Sequence, residues 1–393
     1  MDLLKFDLDQ YLIESELEKY KKNAETWKIE ESSKKLQYFT HGFFRFFGKF
    51  PPPVASRFID EYLKNKNELV LDPMVGSGTT LVEATLKNVN AIGADVNNLC
   101  TLVSKVKTTY VKPNDIRKYL AEWILFSKKK SKEYKQYIPK DKYLEHWFFT
   151  ENIKQLATIR EFIEKNPTKK DMADLSKLAL SSIIRNVSRA SKGMGRMFLD
   201  PGLSPVNVYE LYAKKISVYL DVMENWDSMI KKQKIINNDA RNLKIDNESI
   251  GLTICHPPYY NLYKYSSIFK FEMLWLGLDY CDTKKREVFE GFKMGNAEGV
   301  NKYVSDMILI MNEIERVLKK NRYCVLMIGD AVIKNKRVNT TSLLLQNLKK
   351  FKIEKIIVRI PKYTEASYAA SQRRVTGDIG VNIPDHLIVL KKP

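Results

Sequence analysis

From residue 69 onward the chain alternates two kinds of apolar pattern. Short continuous runs flanked by Gly, Asp or Asn, as in "LVLD", "AIGADV", "KIINND", "SIGLTIC", "YCVLMIGD", "KIEKIIVRI" and "DHLIVLKK", predict seven strands, most of them covered on both faces. Between them, apolar positions recur every three or four residues, as in "VSDMILIMNEIERVLKK", which predicts helices packed on a sheet. From about residue 100 to 234 the strand signals fade. Long helical patterns such as "LEHWFFTENIKQLATIREFIEK" and "LSKLALSSIIRNVSRASKGMGRMF" take over, and they predict a helical insertion. Residues 1–36 are charged and helical in pattern, so four parts are expected: an N-terminal helical segment (1–36), a first core part (37–99), the insertion (100–234) and a second core part (235–393). The first core part opens on the aromatic stretch "FFRFFGKFPPP" and then an amphipathic helix carrying Val54, Phe58, Ile59 and Tyr62.

The candidate chemistry lies at two strand ends. In "LDPMVGSGTT", Gly76 and Gly78 stand between a buried strand and a helix that opens with Thr79 and Thr80. Glycines let the backbone turn tightly and approach a ligand, and the helix start offers free N–H groups. A phosphate-binding P-loop is disfavoured because no lysine follows the second glycine. Asp95 closes the next strand about twenty residues on, where a carboxylate meets both hydroxyls of a ribose. Asp72 ends the first strand and suits a cationic amine, with a turn cap as the structural alternative.

Taken together, "KFPPPVASRFIDEYL", "DPMVGSGTTLVEA" and "NNDARNLKIDNESIGLTICHPPYYN" resemble the S-adenosylmethionine-dependent DNA methyltransferases that modify exocyclic amino groups. The resemblance covers roughly residues 38–98 and 235–393. It implies a doubly wound, seven-stranded, Rossmann-like α/β sheet in the order 3-2-1-4-5-7-6, the last strand antiparallel. It further implies that Phe50 and Asp72 hold the methionine part of the cofactor, Asp95 its ribose and Asp239 its adenine amino group. In such enzymes the residue before the two prolines contacts the target amino group, the first proline's carbonyl takes the second hydrogen, and the aromatic residue stacks on a flipped base. Those roles fall on His256, Pro257 and Tyr259, with Pro258 completing the turn. Family members carry Asp, Asn or Ser where this chain has His256. A neutral imidazole still accepts a hydrogen bond, and with an ordinary pKa of ~6.5 it would bring pH sensitivity near neutrality. A packing role for the histidine stays open. "PPYYNLYKYS" resembles the turn of Ser-Pro-Pro-Tyr enzymes, which places cytosine N4 ahead of adenine N6. C5-cytosine chemistry is disfavoured, since no Pro-Cys occurs in the chain. An RNA base amino-methyltransferase and a non-catalytic nucleic-acid-binding protein remain as alternatives.

Charge points to the partner. The 393 residues hold 66 Lys and Arg against 47 Asp and Glu, a formal net charge of +19, which favours a polyanion such as double-stranded DNA. The lysines are widely spread, so a solvated surface is the competing explanation. Target reading is expected in the insertion, through Arg185, Arg189, Lys192 and Arg196, and in the loop before the last strand, through Arg373 and Arg374. A restriction endonuclease sharing the recognition site is the expected protein partner. Four scattered cysteines indicate neither disulfides nor a zinc site. The acidic start "MDLLKFDLDQYL" lacks a signal-peptide pattern, and a cytoplasmic protein with no membrane span is expected.

Overall fold

The computed structural model describes residues 25–28, 34–129, 133–166, 168–191, 197–226, 233–260, 264–288, 297–333, 336–360 and 385–393. Its strands are β1 (Glu25–Lys28), β2 (Leu69–Asp72), β3 (Ala91–Asp95), β4 (Lys234–Asn237), β5 (Ile250–Cys255), β6 (Leu318–Ile328), β7 (Ala331–Ile333), β8 (Lys336–Val338), β9 (Lys352–Ile360) and β10 (Asp385–Lys391). Eight of them form one sheet in the order β1-β9-β10-β6-β5-β2-β3-β4. All the pairings in that sheet are parallel except those of β10, which runs antiparallel to both β6 and β9. Read over the seven strands foreseen in the sequence, this is the order 3-2-1-4-5-7-6.

Three strands depart from expectation. The N-terminal segment, expected to be helical, contributes β1, which adds in parallel to the edge strand β9. An edge strand presents unpaired N–H and C=O groups, and β1 satisfies them. Trp27 anchors it, its ring 5.2 Å from that of Phe58 with the Arg57 guanidinium 3.7 Å above it. β7 and β8 form a separate antiparallel hairpin.

The longer helices are α1 (Pro52–Tyr62), α2 (Thr79–Leu86), α3 (Asn98–Lys107), α4 (Pro113–Ser127), α5 (Leu144–Trp147), α6 (Thr150–Lys165), α7 (Lys170–Val187) and α8 (Val208–Glu224), followed by α9 (Tyr265–Ile268), α10 (Lys270–Leu276), α11 (Tyr280–Arg286), α12 (Ala297–Val317) and α13 (Thr340–Gln346). Side-chain alternation splits each strand between two cores. Val70, Leu252, Val325 and Leu387 face α1 and α2, packing with Phe58 and Leu81. Leu71, Leu326 and Ile388 face the other way, onto α12 and α13 through Met307, Ile314 and Leu344. Helices α3 to α8 build a third core, joined by Phe43 and Phe44 and by Phe269, Phe271 and Trp275 from α9 and α10 and the residue between them. No helix among the described residues is long and apolar enough to cross a membrane. The chain order reverses between β2 and β5, which opens a crevice at their carboxyl ends.

Candidate active site

That crevice is a cleft of about 870 Å³, counting its open mouth, lined by Phe50, Asp72, Gly76, Thr79, Asp95 and Asp239, with His256 and Pro258 on the same wall. The loop between β2 and α2 is fixed by left-handed glycines, Gly76 at φ 45° and Gly78 at φ 76°. The Gly76 N–H donates to Asp95 Oδ2 at 2.9 Å, tying the loop to the end of β3. A Cβ on Gly78 would lie 2.9 Å from Ser104 Oγ and 3.0 Å from Ser104 Cα, so α3 leaves room only for glycine at the start of α2. Behind the loop, the buried Lys107 donates from Nζ to the Ser77 carbonyl at 2.7 Å.

The acids of the cleft differ in their surroundings. Burial pushes the Asp72 carboxyl up to about 7, against a hydrogen bond from the Met74 N–H. Burial likewise raises Asp95 to about 6, although the N–H groups of Asn97 and Gly76 both donate to it. Arg286 also lines the cleft and acts to lower Asp95, but among the described residues neither acid forms an ion pair, and two such buried acids suit a ligand that brings a positive charge and hydroxyl donors. Asp239 is held otherwise. Burial acts to raise it, but Arg241 outweighs that with bonds from Nε to Oδ1 at 3.0 Å and Nη2 to Oδ2 at 2.7 Å, and its pKa is lowered.

His256 follows β5 directly. Its ring centroid lies 5.4 Å from that of Phe50 and 5.4 Å from that of Tyr259, the latter nearly perpendicular at 85°. Burial lowers its pKa to about 4, with Asp385 opposing and Arg359 adding to the shift. The imidazole is therefore neutral throughout the physiological range, and the pH sensitivity near neutrality expected from an ordinary histidine is corrected: the environment, not the residue type, sets the window. The Tyr303 hydroxyl donates to the Pro258 carbonyl at 2.9 Å and pins the turn. Pro257 sits between them in the turn, in the extended stretch after β5. Tyr259 is buried at 8% exposure and does not line the cleft. Besides Phe50 and His256, the aromatic side chains that do are Phe46 and Tyr265, stacked at 5.3 Å and 27°. Neither was singled out in the sequence, where only the density of phenylalanines in "FFRFFGKF" hinted at an aromatic wall.

Of the residues expected to meet nucleic acid, Arg185 and Arg189 lie among the described residues. Arg185, expected at a flexible helix end, is buried at 7% exposure in the last turn of α7 and donates to the Ser191 carbonyl at 3.2 Å. Arg189 is half-buried, bonded to the His146 carbonyl at 3.3 Å and placed 5.2 Å over the Phe149 ring. Lys192, Arg196, Arg373 and Arg374 lie outside the described residues.

A family model described as DNA methylase matches residues 5–105. The Type II methyltransferase M.MvaI of Kocuria varians is 24% identical over 337 residues, 78% of this chain and 72% of its own length. M.MjaII of Methanocaldococcus jannaschii, also a Type II methyltransferase, is 24% identical over 257 residues, 60% of this chain and 46% of its own length. Among solved structures, an S-adenosylmethionine-dependent methyltransferase of Methanosarcina mazei shares 11% identity over 85% of this chain and 96% of its own, at a TM-score of 0.34. The fold rests on the strand order rather than on that score. The chain is thus similar to DNA methylases over residues 5–105 and to Type II methyltransferases over most of its length, and the motifs that carry the resemblance to S-adenosylmethionine-dependent enzymes meet in one cleft.

Proposed function

We propose that this protein transfers a methyl group from S-adenosylmethionine to the N4 amino group of cytosine at a specific site in double-stranded DNA, as the modifying half of a restriction-modification pair. The carrying observation is that the glycine loop, its two buried acids and the turn residues His256 and Pro258 line one cleft. When bound, the cofactor supplies an electrophilic methyl on a sulfonium. Phe50 and Asp72 would hold its methionine part, Asp95 with Gly76, Gly78 and Thr79 its ribose end, and Asp239 its adenine. Raised by burial, Asp72 and Asp95 gain most from a ligand that supplies the missing charge and donors.

An exocyclic amino nitrogen is a poor nucleophile because its lone pair is delocalised into the ring. Acceptors that take its two hydrogens favour the pyramidal form with the lone pair directed at the methyl, so positioning carries the step. His256, kept neutral by burial, is one such acceptor and the Pro257 carbonyl the other. The hydroxyl of Tyr303 occupies the Pro258 carbonyl and holds the turn in place, leaving the neighbouring carbonyl for the substrate. Stacking on the flipped base falls to Tyr259 after a rotation out of its buried site, or to the Phe46–Tyr265 pair that already faces the cleft. Target reading is assigned to residues 100–234 with Arg185, Arg189, Lys192 and Arg196, and to Arg373 and Arg374. Single-turnover methylation of duplex DNA, compared with the same sequence as RNA, tests the assignment. Methyl incorporation into RNA alone would replace DNA as the substrate.

A further inference from the structure

Beside the cofactor cleft lies a second cavity, and Phe46 and Lys49 line both. It opens between the loop after residue 41, the C-terminal half of α7, α8, and the α9–α10 segment, so four separate stretches of sequence meet there. Four cations line it, Arg45, Lys49, Arg185 and Lys215, against a single carboxylate, Glu272. Among the described residues Arg45, Lys49 and Lys215 form no ion pair, although the Glu83 charge acts on Lys49: the Arg45 guanidinium lies 4.9 Å over the Phe47 ring, Lys49 Nζ donates to the His41 carbonyl at 3.1 Å, and Lys215 Nζ to the Gly42 carbonyl at 3.4 Å. The Ser181 hydroxyl also lines the cavity, is 1% exposed and has no hydrogen-bond partner.

We propose that this cavity seats a phosphate of the substrate DNA strand, with Arg45, Lys49, Arg185 and Lys215 supplying the charge and Ser181 a hydroxyl donor, and that it thereby registers the target nucleotide against the adjoining cofactor cleft. The proposal rests on the DNA reading above. Four cations grouped around one carboxylate in a recess are costly unless a further anion joins them. Burial lowers Lys49 and Lys215 to about 8 and raises Glu272 to about 7, outweighing Glu83 at Lys49 and Arg185 at Glu272. A phosphate offers several strong acceptors and answers the arginine, lysine and serine donors together.

The test measures binding of a fluorescent duplex oligonucleotide across a salt series, for the full chain and for the variants Arg45→Gln, Lys215→Gln and Ser181→Ala, with cofactor affinity followed by calorimetry. Thermal stability with and without inorganic phosphate is recorded in parallel. Arg45→Gln and Lys215→Gln are expected to weaken duplex binding about tenfold and to flatten the salt slope by about one counterion each, with cofactor affinity unchanged. Lys215→Arg, which keeps the charge, should restore most of the loss and guards against a folding artefact. Unchanged affinity and slope in both neutral variants would overturn the proposal. Should the wild-type protein bind no duplex while phosphate still stabilises it and not Lys215→Gln, the DNA reading fails, and the cavity takes a phosphate from a source other than DNA.

Discussion

His256 shows how much a single position depends on its surroundings. As an isolated residue it suggests a switch near pH 6.5, whereas wedged between the rings of Phe50 and Tyr259 it titrates near 4. At saturating cofactor and DNA, the single-turnover rate should therefore be flat between pH 5.5 and 8 as far as this residue is concerned, falling only as the imidazole gains its proton near pH 4. His256→Ala should slow transfer by roughly a hundredfold, the scale of losing one positioned hydrogen-bond partner. His256→Asn, which restores an acceptor, should recover part of that. An unaltered rate in the alanine variant would assign the residue to packing. Asp72 and Asp95 behave oppositely. Their raised pKa values leave them partly protonated near neutrality, and a cationic ligand requires them ionised. Cofactor affinity should strengthen as pH rises from 5 to 8, with protons released on binding. Calorimetry in two buffers of different ionisation enthalpy detects this directly; binding without proton release would contradict the assignment of both acids. What the sequence lacked here was burial. Motif spacing located Asp72, Asp95 and His256, but their charge states come first from burial, and at His256 also from Asp385 and Arg359, which are far away along the chain.

Among the elements, the loop from β2 to α2 is the most exacting. Gly78→Ala would force a side chain into a left-handed backbone and against Ser104 of α3, at a cost of about 1–3 kcal/mol. Denaturant unfolding should show that loss together with weakened cofactor binding. Ser104→Ala, which trims the obstructing hydroxyl, should relieve part of it, and a Gly78→Ala variant as stable as wild type would show that α3 yields. Most elements were legible because each strand is a continuous apolar run and each covering helix has an unambiguous stripe. The order 3-2-1-4-5-7-6 is a different matter: no pattern within a strand specifies its neighbours, and it came with the resemblance. β1 was missed because "ETWK" is too short for a strand period, and only the unpaired edge of β9 gives it a role. The Phe46–Tyr265 wall and the basic cavity were invisible for a related reason. Each joins residues 45–49 to stretches more than a hundred residues further on, so no local spacing betrays it.

The charge of +19 belongs to the whole molecule. Buried and solvated lysines alike contribute to the field, so affinity for duplex DNA of any sequence should fall steeply with salt, and a flat response would remove electrostatic attraction from the account. Sequence preference should survive that change where non-specific binding does not, because base contacts carry it. The central claim is amino-group methylation of a DNA base, and one measurement meets it most directly. Unmodified duplex DNA is incubated with the protein and S-adenosylmethionine, digested to nucleosides and analysed by mass spectrometry. The account predicts N4-methylcytosine, absent when the cofactor is omitted. N6-methyladenine in its place would contradict the assignment of the base, and DNA free of any methylated nucleoside would contradict the claim itself.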